Sequence, residues 1–464
     1  MSQNLVYHLP DVQFDYYTII PHPNQDSLLL IQGKKGWCLP HFVPFEHHFG
    51  VVSHINQAMY NQLKINVTVL CCVYNYFNPL NRQGSRVYAL ENHSLTWQPP
   101  AYAHWIKLDE LHKLNMQIST HYNLIIDWFK ERENYQNMTA IPWAIPGWFN
   151  LASQWIYHQI DYLGLTAISP IEQLKNWPLA NVMRINTNQG NIYFKATAKM
   201  FANEPEITQI LTKYYPQHLP KILAINSQYH WILMQDIGGE TLSNITNIYH
   251  WQSALRLFAE IQIDSAQYID NLISQGWLDL RLDNVVKEIN LLLKNYLFQP
   301  AILPLLTFAP QIIIMCKELS TLNIPPTLMH GDLSPRNIFV TADNYYLYFD
   351  WSDSCISHPF FDLIRFLYEI EIDFPGVPDI RDRLRDAYLQ PWTIYAPIDR
   401  LISVFELSSK TLTNLYQAII SQSNILNFSI NQETPQTPVN FYIKRLLIQV
   451  ASYLNLSLKN FQQT

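Results

Sequence analysis

The stretch HGDLSPRN at residues 330–337, followed by YFDW at residues 348–351, decides the fold of this chain. Phosphoryl transfer needs a carboxylate beside the attacking hydroxyl and oxygen ligands that hold magnesium on the phosphates. Asp332 is placed to accept the hydroxyl proton, and Asn337 offers an amide oxygen to a metal. Asp350, at the end of a short predicted strand, adds a carboxylate. The two segments therefore predict a magnesium-assisted phosphoryl-transfer site.

The same segments carry a resemblance to a known family. The order H-x-D-x4-N, hairpin, aspartate is typical of the kinase superfamily. Gly331 stands where protein kinases have arginine, Trp351 replaces the Phe-Gly after the metal aspartate, and HPFFDL at residues 358–363 matches an HP-x-x-D-L signature. The chain thus resembles the aminoglycoside phosphotransferase and choline-kinase-like family. The resemblance implies a bilobal protein-kinase-like fold and Mg²⁺-assisted transfer of the ATP γ-phosphoryl group to a hydroxyl of a small molecule.

The resemblance also implies a lysine and glutamate pair that holds the α and β phosphates. Lys195 ends the predicted strand YFK, and Glu204 begins the next predicted helix. Glu206, two residues on, is the rival partner for the lysine. We expect Glu204 to form the pair, because its spacing to the apolar helix residues fits the family.

The nucleotide itself is expected to meet backbone groups. No GxGxxG loop precedes the lysine, and the segment from Lys175 to Leu179 is implied to cover the nucleotide instead. The run WILMQDI at residues 231–237 is predicted to be a strand and hinge. Backbone groups of Gln235 and Ile237 would contact the adenine edge.

Several neighbours of the loop have supporting or open roles. Asp362 is implied to accept hydrogen bonds from the backbone of the catalytic loop, with His330 packed beside it; neither is assigned to the chemical step. Asp353 and His358 either contact substrate or cap the following helix. Arg336 either neutralises phosphate charge or lies at the surface, and the surface position is favoured.

Residues 10–115 resemble a Nudix hydrolase domain. The strand LLLI at residues 28–31, the segment GWCLP at 36–40, a helix and a long apolar strand carry this resemblance. The helix from Val51 to Lys64 contains no acidic residue, so magnesium has no carboxylate cage there and hydrolysis is not expected. This region is either a repurposed binding or docking domain or a structural appendage.

The predicted fold class is therefore α+β. A degenerate Nudix-like α/β/α domain, residues 1–140, precedes a kinase-like domain, residues 145–464. Its small lobe would span about 150–240 and its helical large lobe about 241–464. The segment IPWAIPGW at residues 141–148, with two prolines and a glycine, suits a boundary.

Composition narrows the functional classes. The formal net charge of -7 argues against nucleic acid as a partner. Five scattered cysteines and no signal-peptide pattern favour a reduced, cytoplasmic protein without zinc. No apolar run reaches the roughly 18 residues of a membrane span. Neither the oligomeric state nor a preference for ATP over GTP can be read from these features.

Two alternatives to a small-molecule kinase remain. One is a nucleotide-binding pseudokinase or scaffold, although the lysine, base and metal ligands are all present. The other, a protein kinase, is disfavoured because the segment between Asp350 and Asp362 is too short for an activation segment. The acidic stretch around residues 369–382 either favours a cationic acceptor or is a solvated face.

Overall fold

The structure is a computed structural model, and it describes residues 12–134, 141–287, 290, 303–368 and 370–420. The chain divides into two compact units. The first comprises Met1–Glu206 with Lys221–Asp236, and the second comprises Ile207–Pro220 with Ile237–Thr464. The strands of the predicted small lobe thus share a unit with the N-terminal strands. The domain boundary near residue 145 stays a prediction.

Over the described residues 12–134, the N-terminal part of the first unit contains two sheets and two α-helices. Its strands are β1 (Gln13–Ile19), β2 (Ser27–Gly33), β3 (Gly36–Cys38), β4 (His41–Phe42), β5 (Val67–Asn78), β6 (Gln83–Asn92) and β7 (Ala103–Lys107). The helices are α1 (Ser53–Leu63) and α2 (Thr120–Asn134). One sheet has the order β4-β1-β6-β5, with β1 and β6 parallel, and the other has the order β3-β2-β7.

Alternation along β6 explains how this part is layered. Tyr88 and Leu90 belong to the apolar cluster that contains α1, whereas Val87 and Ala89 belong to the cluster that contains α2. Successive side chains of a strand point to opposite faces, so the sheet is covered by a different helix on each face. The predicted layers of helix, sheet and helix are present, while the likeness to a Nudix domain stays a prediction.

A third sheet, which is entirely antiparallel, belongs to the first unit. Its strands are β8 (Glu172–Trp177), β9 (Ala180–Thr187), β10 (Gly190–Thr197), β11 (Ile222–Asn226) and β12 (Trp231–Gln235), and helix α3 (Trp148–Tyr162) precedes them. Helix α4 (Glu204–Tyr214) lies between β10 and β11 in the chain, and the first unit includes it only as far as Glu206. The strand order is β11-β12-β10-β9-β8. Helix α3 packs Ala152, Ile156 and Ile160 against Phe194 and Trp231 of this sheet. That spacing of four residues is the apolar stripe of a helix lying on a sheet.

The second unit is mainly helical. Its helices are α5 (Ile248–Ser265), α6 (Ile269–Ser274), α7 (Leu303–Ser320), α8 (Phe360–Phe366), α9 (Ile370–Asp373), α10 (Ile380–Leu389) and α11 (Ile398–Ile420). Its strands are β13 (Glu240–Thr241), β14 (Leu278–Asp279), β15 (Thr327–Met329), β16 (Ile338–Val340), β17 (Tyr346–Tyr348) and β18 (Cys355–Ser357). They form two sheets, β13-β16-β17 and β14-β18-β15.

Short strands place the predicted catalytic segments. The loop 330–337 joins β15 to β16, Asp350 follows β17, and the HPFFDL segment follows β18 and opens α8. The rings of Trp351, Tyr388 and Trp392 are fully buried beneath these segments. Over the described ranges, no helix is both long and apolar enough to cross a membrane.

Candidate active site

The catalytic loop turns sharply at its second residue. Gly331 has a φ of +81°, and a Cβ added there would lie 2.1 Å from the carbonyl oxygen of Asp353. Only glycine adopts that φ without strain and lets the two backbones approach so closely. The glycine that stands in place of the protein-kinase arginine therefore has a steric reason.

Asp362 holds the beginning of this loop. Its carboxylate accepts the backbone N–H of His330 at 2.8 Å and that of Gly331 at 2.9 Å. The side chain of Gln262 on α5 donates a third hydrogen bond at 3.1 Å. Burial raises the pKa of Asp362 to about 7, although the two backbone hydrogen bonds act in the opposite direction and lower it. The geometry is the loop anchor that the resemblance implies.

His330 is a packed, neutral residue of the same loop. Burial lowers its pKa, and its ring centroid lies 4.6 Å from that of Trp351. Nε2 lies 3.0 Å from the carbonyl oxygen of Phe349, so the neutral ring carries its proton on Nε2 and donates there. His330 thereby ties the loop to the segment that leads into Asp350.

Both carboxylate oxygens of Asp332 are held. Asn337 Nδ2 donates to Asp332 Oδ2 at 3.2 Å and to the Asp332 carbonyl at 3.0 Å. Arg365 Nε donates to Oδ1 at 2.9 Å, and Arg365 Nη2 lies 2.8 Å from the same oxygen. The arrangement fixes the carboxylate in one orientation and stabilises its charge.

Sequence reasoning missed Arg365. The signal was its spacing, because Arg365 lies three residues after Asp362 on α8, and residues three apart share a helix face. One face of this short helix therefore presents a carboxylate to the loop backbone and a guanidinium to the loop side chain.

Asn337 and Asp350 could hold a magnesium ion. The Asn337 donors face Asp332, so Oδ1 is the atom that would meet a metal. Asp350 has a φ of +66°, an uncommon backbone conformation for a residue with a side chain, and its Oδ1 accepts from Ser352 Oγ at 3.0 Å. Within the described part of the chain no group of three or more His, Cys, Asp or Glu residues suits a metal. One carboxylate and one amide fit Mg²⁺, which takes its other ligands from phosphate and water.

Lys195 and Glu204 form an ion pair in the first unit. Lys195 Nζ lies 2.6 Å from Glu204 Oε1, and their side chains are 12% and 4% exposed. The pair joins β10 to the first residue of α4. Glu204 is therefore the candidate glutamate that pairs with Lys195. Glu206, the rival candidate, shows no corresponding ion pair with Lys195 among the described residues.

The predicted hinge residues follow in sequence at the end of β12. The backbone N–H of Gln235 donates to the Lys221 carbonyl at 3.0 Å, so its carbonyl is the group it could offer to an adenine. Ile237 lies two residues further on and is half-buried. Their contacts with a nucleotide stay a prediction.

The remaining neighbours of the loop, His358, Arg336 and Asp353, differ in how far they are exposed to solvent. His358 is buried, and its Nδ1 accepts the backbone N–H of Phe360, in the first turn of α8, at 3.3 Å. Burial also lowers the pKa of His358 to about 3. Both observations favour a helix-capping role for His358 over contact with a substrate. Arg336 is exposed, and Asp353 is half-buried and accepts from Ser352 at 3.3 Å.

The described acidic residues of the stretch 369–382 are exposed to solvent. They are Glu371, Asp373, Asp379 and Asp382. Glu371 and Asp382 lie 3.8 Å and 2.7 Å from arginine side chains. Glu369 lies outside the described residues.

The candidate site falls within one family match. Residues 191–398 match the phosphotransferase enzyme family. This phosphotransferase segment contains every candidate site residue from Lys195 to Asp362, and the family resemblance drawn from the catalytic loop is confirmed. It begins after β9, so the N-terminal strands and the β8–β9 hairpin lie outside it.

Solved structures similar to the chain include three phosphotransferases. The GDP and kanamycin complex of APH(2")-IIia shares 15% identity at a TM-score of 0.42, over 65% of this chain and 98% of that chain. Choline kinase LicA from Streptococcus pneumoniae shares 15% sequence identity at a TM-score of 0.41, over 65% of this chain and 100% of that chain. Macrolide 2'-phosphotransferase MphH from Brachybacterium faecium shares 13% sequence identity at a TM-score of 0.42, over 65% of this chain and 98% of that chain. No curated protein sequence matches the chain.

Proposed function

We propose that this protein transfers the γ-phosphoryl group of ATP to a hydroxyl of a small molecule with the help of Mg²⁺. The observation that carries the proposal is the restrained carboxylate of Asp332, held at one oxygen by Arg365 and at the other by Asn337. A base that accepts a hydroxyl proton during in-line transfer must be held in one orientation. The match of residues 191–398 to the phosphotransferase family supports the same reaction class.

Each residue has a distinct part in the proposed reaction. Asp332 Oδ2, whose neighbour is a neutral amide, accepts the proton from the acceptor hydroxyl, because Oδ1 is occupied by the Arg365 guanidinium. Lys195, oriented by Glu204, binds the α and β phosphates. Asn337 and Asp350 would hold magnesium, which neutralises charge on the phosphates.

The alternative is a pseudokinase that binds nucleotide without turnover. Loss of the lysine, the base or a metal ligand would favour it, and Lys195, Asp332, Asn337 and Asp350 are all retained. The arginine contacts along the acidic stretch give a cationic acceptor no added support. The acceptor is therefore proposed only as a small-molecule alcohol.

The test uses the full chain with ATP, Mg²⁺ and a panel of aminoglycosides, choline, ethanolamine, homoserine, sugars and macrolides. ADP release and the mass of the phosphorylated acceptor are measured. We expect Asp332→Asn to lower kcat by about 10² to 10⁴-fold, the usual contribution of a positioned base. Asp343→Asn, an exposed aspartate in the turn between β16 and β17, is the matched control and should retain activity.

Three results are informative. Acceptor-dependent ADP release whose kcat Asp332→Asn lowers by at least about 10²-fold supports the proposal. Full activity in Asp332→Asn shows that another group is the base. Nucleotide binding without turnover for any acceptor favours the pseudokinase.

A further inference from the structure

The outer edge of β8 is covered by a segment from the N-terminal part of the chain. In the sheet order β11-β12-β10-β9-β8, β8 is the last strand. Asn176 N donates to the Gly50 carbonyl at 2.8 Å, and Val52 N donates to the Leu174 carbonyl at 3.0 Å. Val51 and Lys175 form an antiparallel bridge between these two hydrogen bonds. The segment 50–52 thus acts as an added strand on an edge that would otherwise be unpaired.

Two buried amide side chains of β8 reach further, into β5. Gln173 Oε1 accepts from Val69 N at 2.8 Å, and Gln173 Nε2 donates to the Val69 carbonyl at 2.9 Å. Asn176 Nδ2 donates to the Leu70 carbonyl at 3.0 Å. Gln173 is 3% exposed and Asn176 is 6% exposed. We call these contacts, together with segment 50–52, the β8 interface.

The irregular register of β5 explains why side chains can enter there. β5 pairs Val69 with Leu90 and Cys71 with Ala89 of β6, so Leu70 is an extra residue in the ladder. β5 is also the last strand in the order β4-β1-β6-β5, so its backbone groups that point away from β6, like those at the bulge, have no ladder partner. Buried polar groups without partners are costly, and the two β8 amides supply the missing hydrogen bonds. The contact is specific in a way that an apolar surface would not be.

The β8 interface leads directly into the hairpin turn at Pro178–Leu179. Asn176 Oδ1 accepts from Asn181 Nδ2 across the turn at 3.3 Å. The Leu179 carbonyl accepts from Ala198 N at 3.0 Å, and Val182 of β9 is paired with Lys195 of β10. The turn that β8 and β9 form is therefore at the Lys195 end of the sheet.

The last residue of β8 is held from two further sides. The Trp177 carbonyl accepts from Trp143 Nε1 at 2.9 Å. The Trp177 ring lies 6.0 Å from the ring of His48 and 6.2 Å from that of Phe49, measured between centroids. No glycine occurs between Gly164 and Gly190, so the hairpin lacks the residue type that lets a covering loop flex. Its position depends on what it is docked against.

We propose that Gln173 and Asn176 are positioning residues, through which the N-terminal part (residues 12–134) holds the β8–β9 hairpin in place for the nucleotide bound at Lys195. The inference rests on the proposed function, because it assumes a nucleotide at that lysine. A covering segment that is already ordered loses less conformational entropy when the nucleotide binds, so affinity rises without a new contact. The N-terminal part then contributes to nucleotide affinity through the hairpin.

The test compares the wild-type chain with Gln173→Met, which keeps the side-chain length and removes both hydrogen bonds to Val69 as well as the one that Asn56 Nδ2 donates to Gln173. Gln189→Met, an exposed glutamine in the β9–β10 turn, is the matched control. Amide hydrogen exchange across residues 172–187 and the Kd for a non-hydrolysable ATP analogue with Mg²⁺ are measured at a temperature where circular dichroism shows every variant folded. We expect exchange and Kd each to rise about tenfold in Gln173→Met, the effect of removing the acceptor of the buried Val69 N–H, while the Val69 carbonyl keeps its hydrogen bond from Asn176. Gln189→Met should change neither.

A second variant covers the case in which Gln173→Met does not fold. Asn176→Ala removes the hydrogen bonds of Asn176 with Leu70, Asn181 and the Val69 carbonyl. It keeps both Gln173 hydrogen bonds to Val69, so the Val69 N–H stays paired, and it should show the same changes to a smaller degree. Unchanged exchange in the folded variants overturns the docking. Faster exchange with an unchanged Kd overturns the positioning role alone. A wild-type chain that binds no nucleotide overturns the proposed function, and this inference with it.

Discussion

Arg365 places two nitrogen atoms within 2.9 Å of a single oxygen, Oδ1 of Asp332. The arginine lies on α8, the helix that also carries Asp362, whose carboxylate holds the backbone of the same loop. One helix thus fixes both the loop and the direction of its aspartate. Both side chains of the ion pair are partly exposed, at 20% and 24%, so an acceptor hydroxyl could reach the other oxygen.

Replacing Arg365 should therefore impair catalysis more than folding. In Arg365→Met the carboxylate loses the partner that fixes Oδ1, and we expect kcat to fall by about 10²-fold, the effect of a small misplacement of a reacting group. Arg383→Met, an exposed arginine of α10, is the control. Steady-state kinetics with the acceptor found in the panel measure the effect. Equal kcat values for the two variants would show that Arg365 has no positioning role.

Variants of the Lys195–Glu204 ion pair should change the free energy of unfolding and the nucleotide affinity independently. Lys195→Met removes the ion pair with the buried Glu204 carboxylate, and we expect the free energy of unfolding to fall by about 3 to 5 kcal/mol. The double variant Lys195→Met with Glu204→Leu should recover most of that stability but not nucleotide affinity. Urea unfolding and nucleotide titration measure the two quantities, with the exposed Lys213→Met as control. Normal nucleotide affinity in the double variant would contradict the phosphate-binding role.

Asp362 should make stability depend on pH. Burial raises its pKa in the folded chain from an ordinary 3.8 to about 7, so the folded state binds a proton more tightly than the unfolded state does. Its contribution to stability is then fully present below pH 4 and is lost as pH rises towards about 7. We expect the free energy of unfolding of Asp362→Asn to decline less over this window than that of the wild type. Urea unfolding at several pH values, with Asp343→Asn as control, measures the difference, and parallel curves would refute it.

Gly331 should tolerate no side chain. Alanine there would add the strain of a φ of +81° to a Cβ placed 2.1 Å from the Asp353 carbonyl oxygen. Gly376→Ala is the matched control, because its φ is +77° and nothing lies within 4 Å of the added Cβ. We expect Gly376→Ala to cost only about 1 to 2 kcal/mol, the backbone term, and Gly331→Ala to cost more and to lower activity. Thermal unfolding measures both, and equal losses would mean that the loop relaxes away from Asp353.

Local pattern predicted the elements that carry the site. The strand YFK before a helix with Glu204 gave β10 and α4, and the hairpin after Asn337 gave β16 and β17. Residues close in sequence are constrained by their own hydrogen-bonding geometry, so such patterns are visible without tertiary contacts.

The sequence by itself predicted a phosphotransferase through HGDLSPRN, the aspartate after the hairpin and HPFFDL, and the family match of residues 191–398 agrees with that prediction. Such segments are visible in a sequence because chemistry restricts which residue types stand at fixed short spacing. Only the tertiary structure decided that Arg365 fixes Asp332, and that Gln173 of β8 binds the backbone of Val69 beside the bulge in β5. These partners lie 33 and 104 residues apart. Contacts across such distances depend on how separate elements pack, and packing leaves no periodic signal in the sequence.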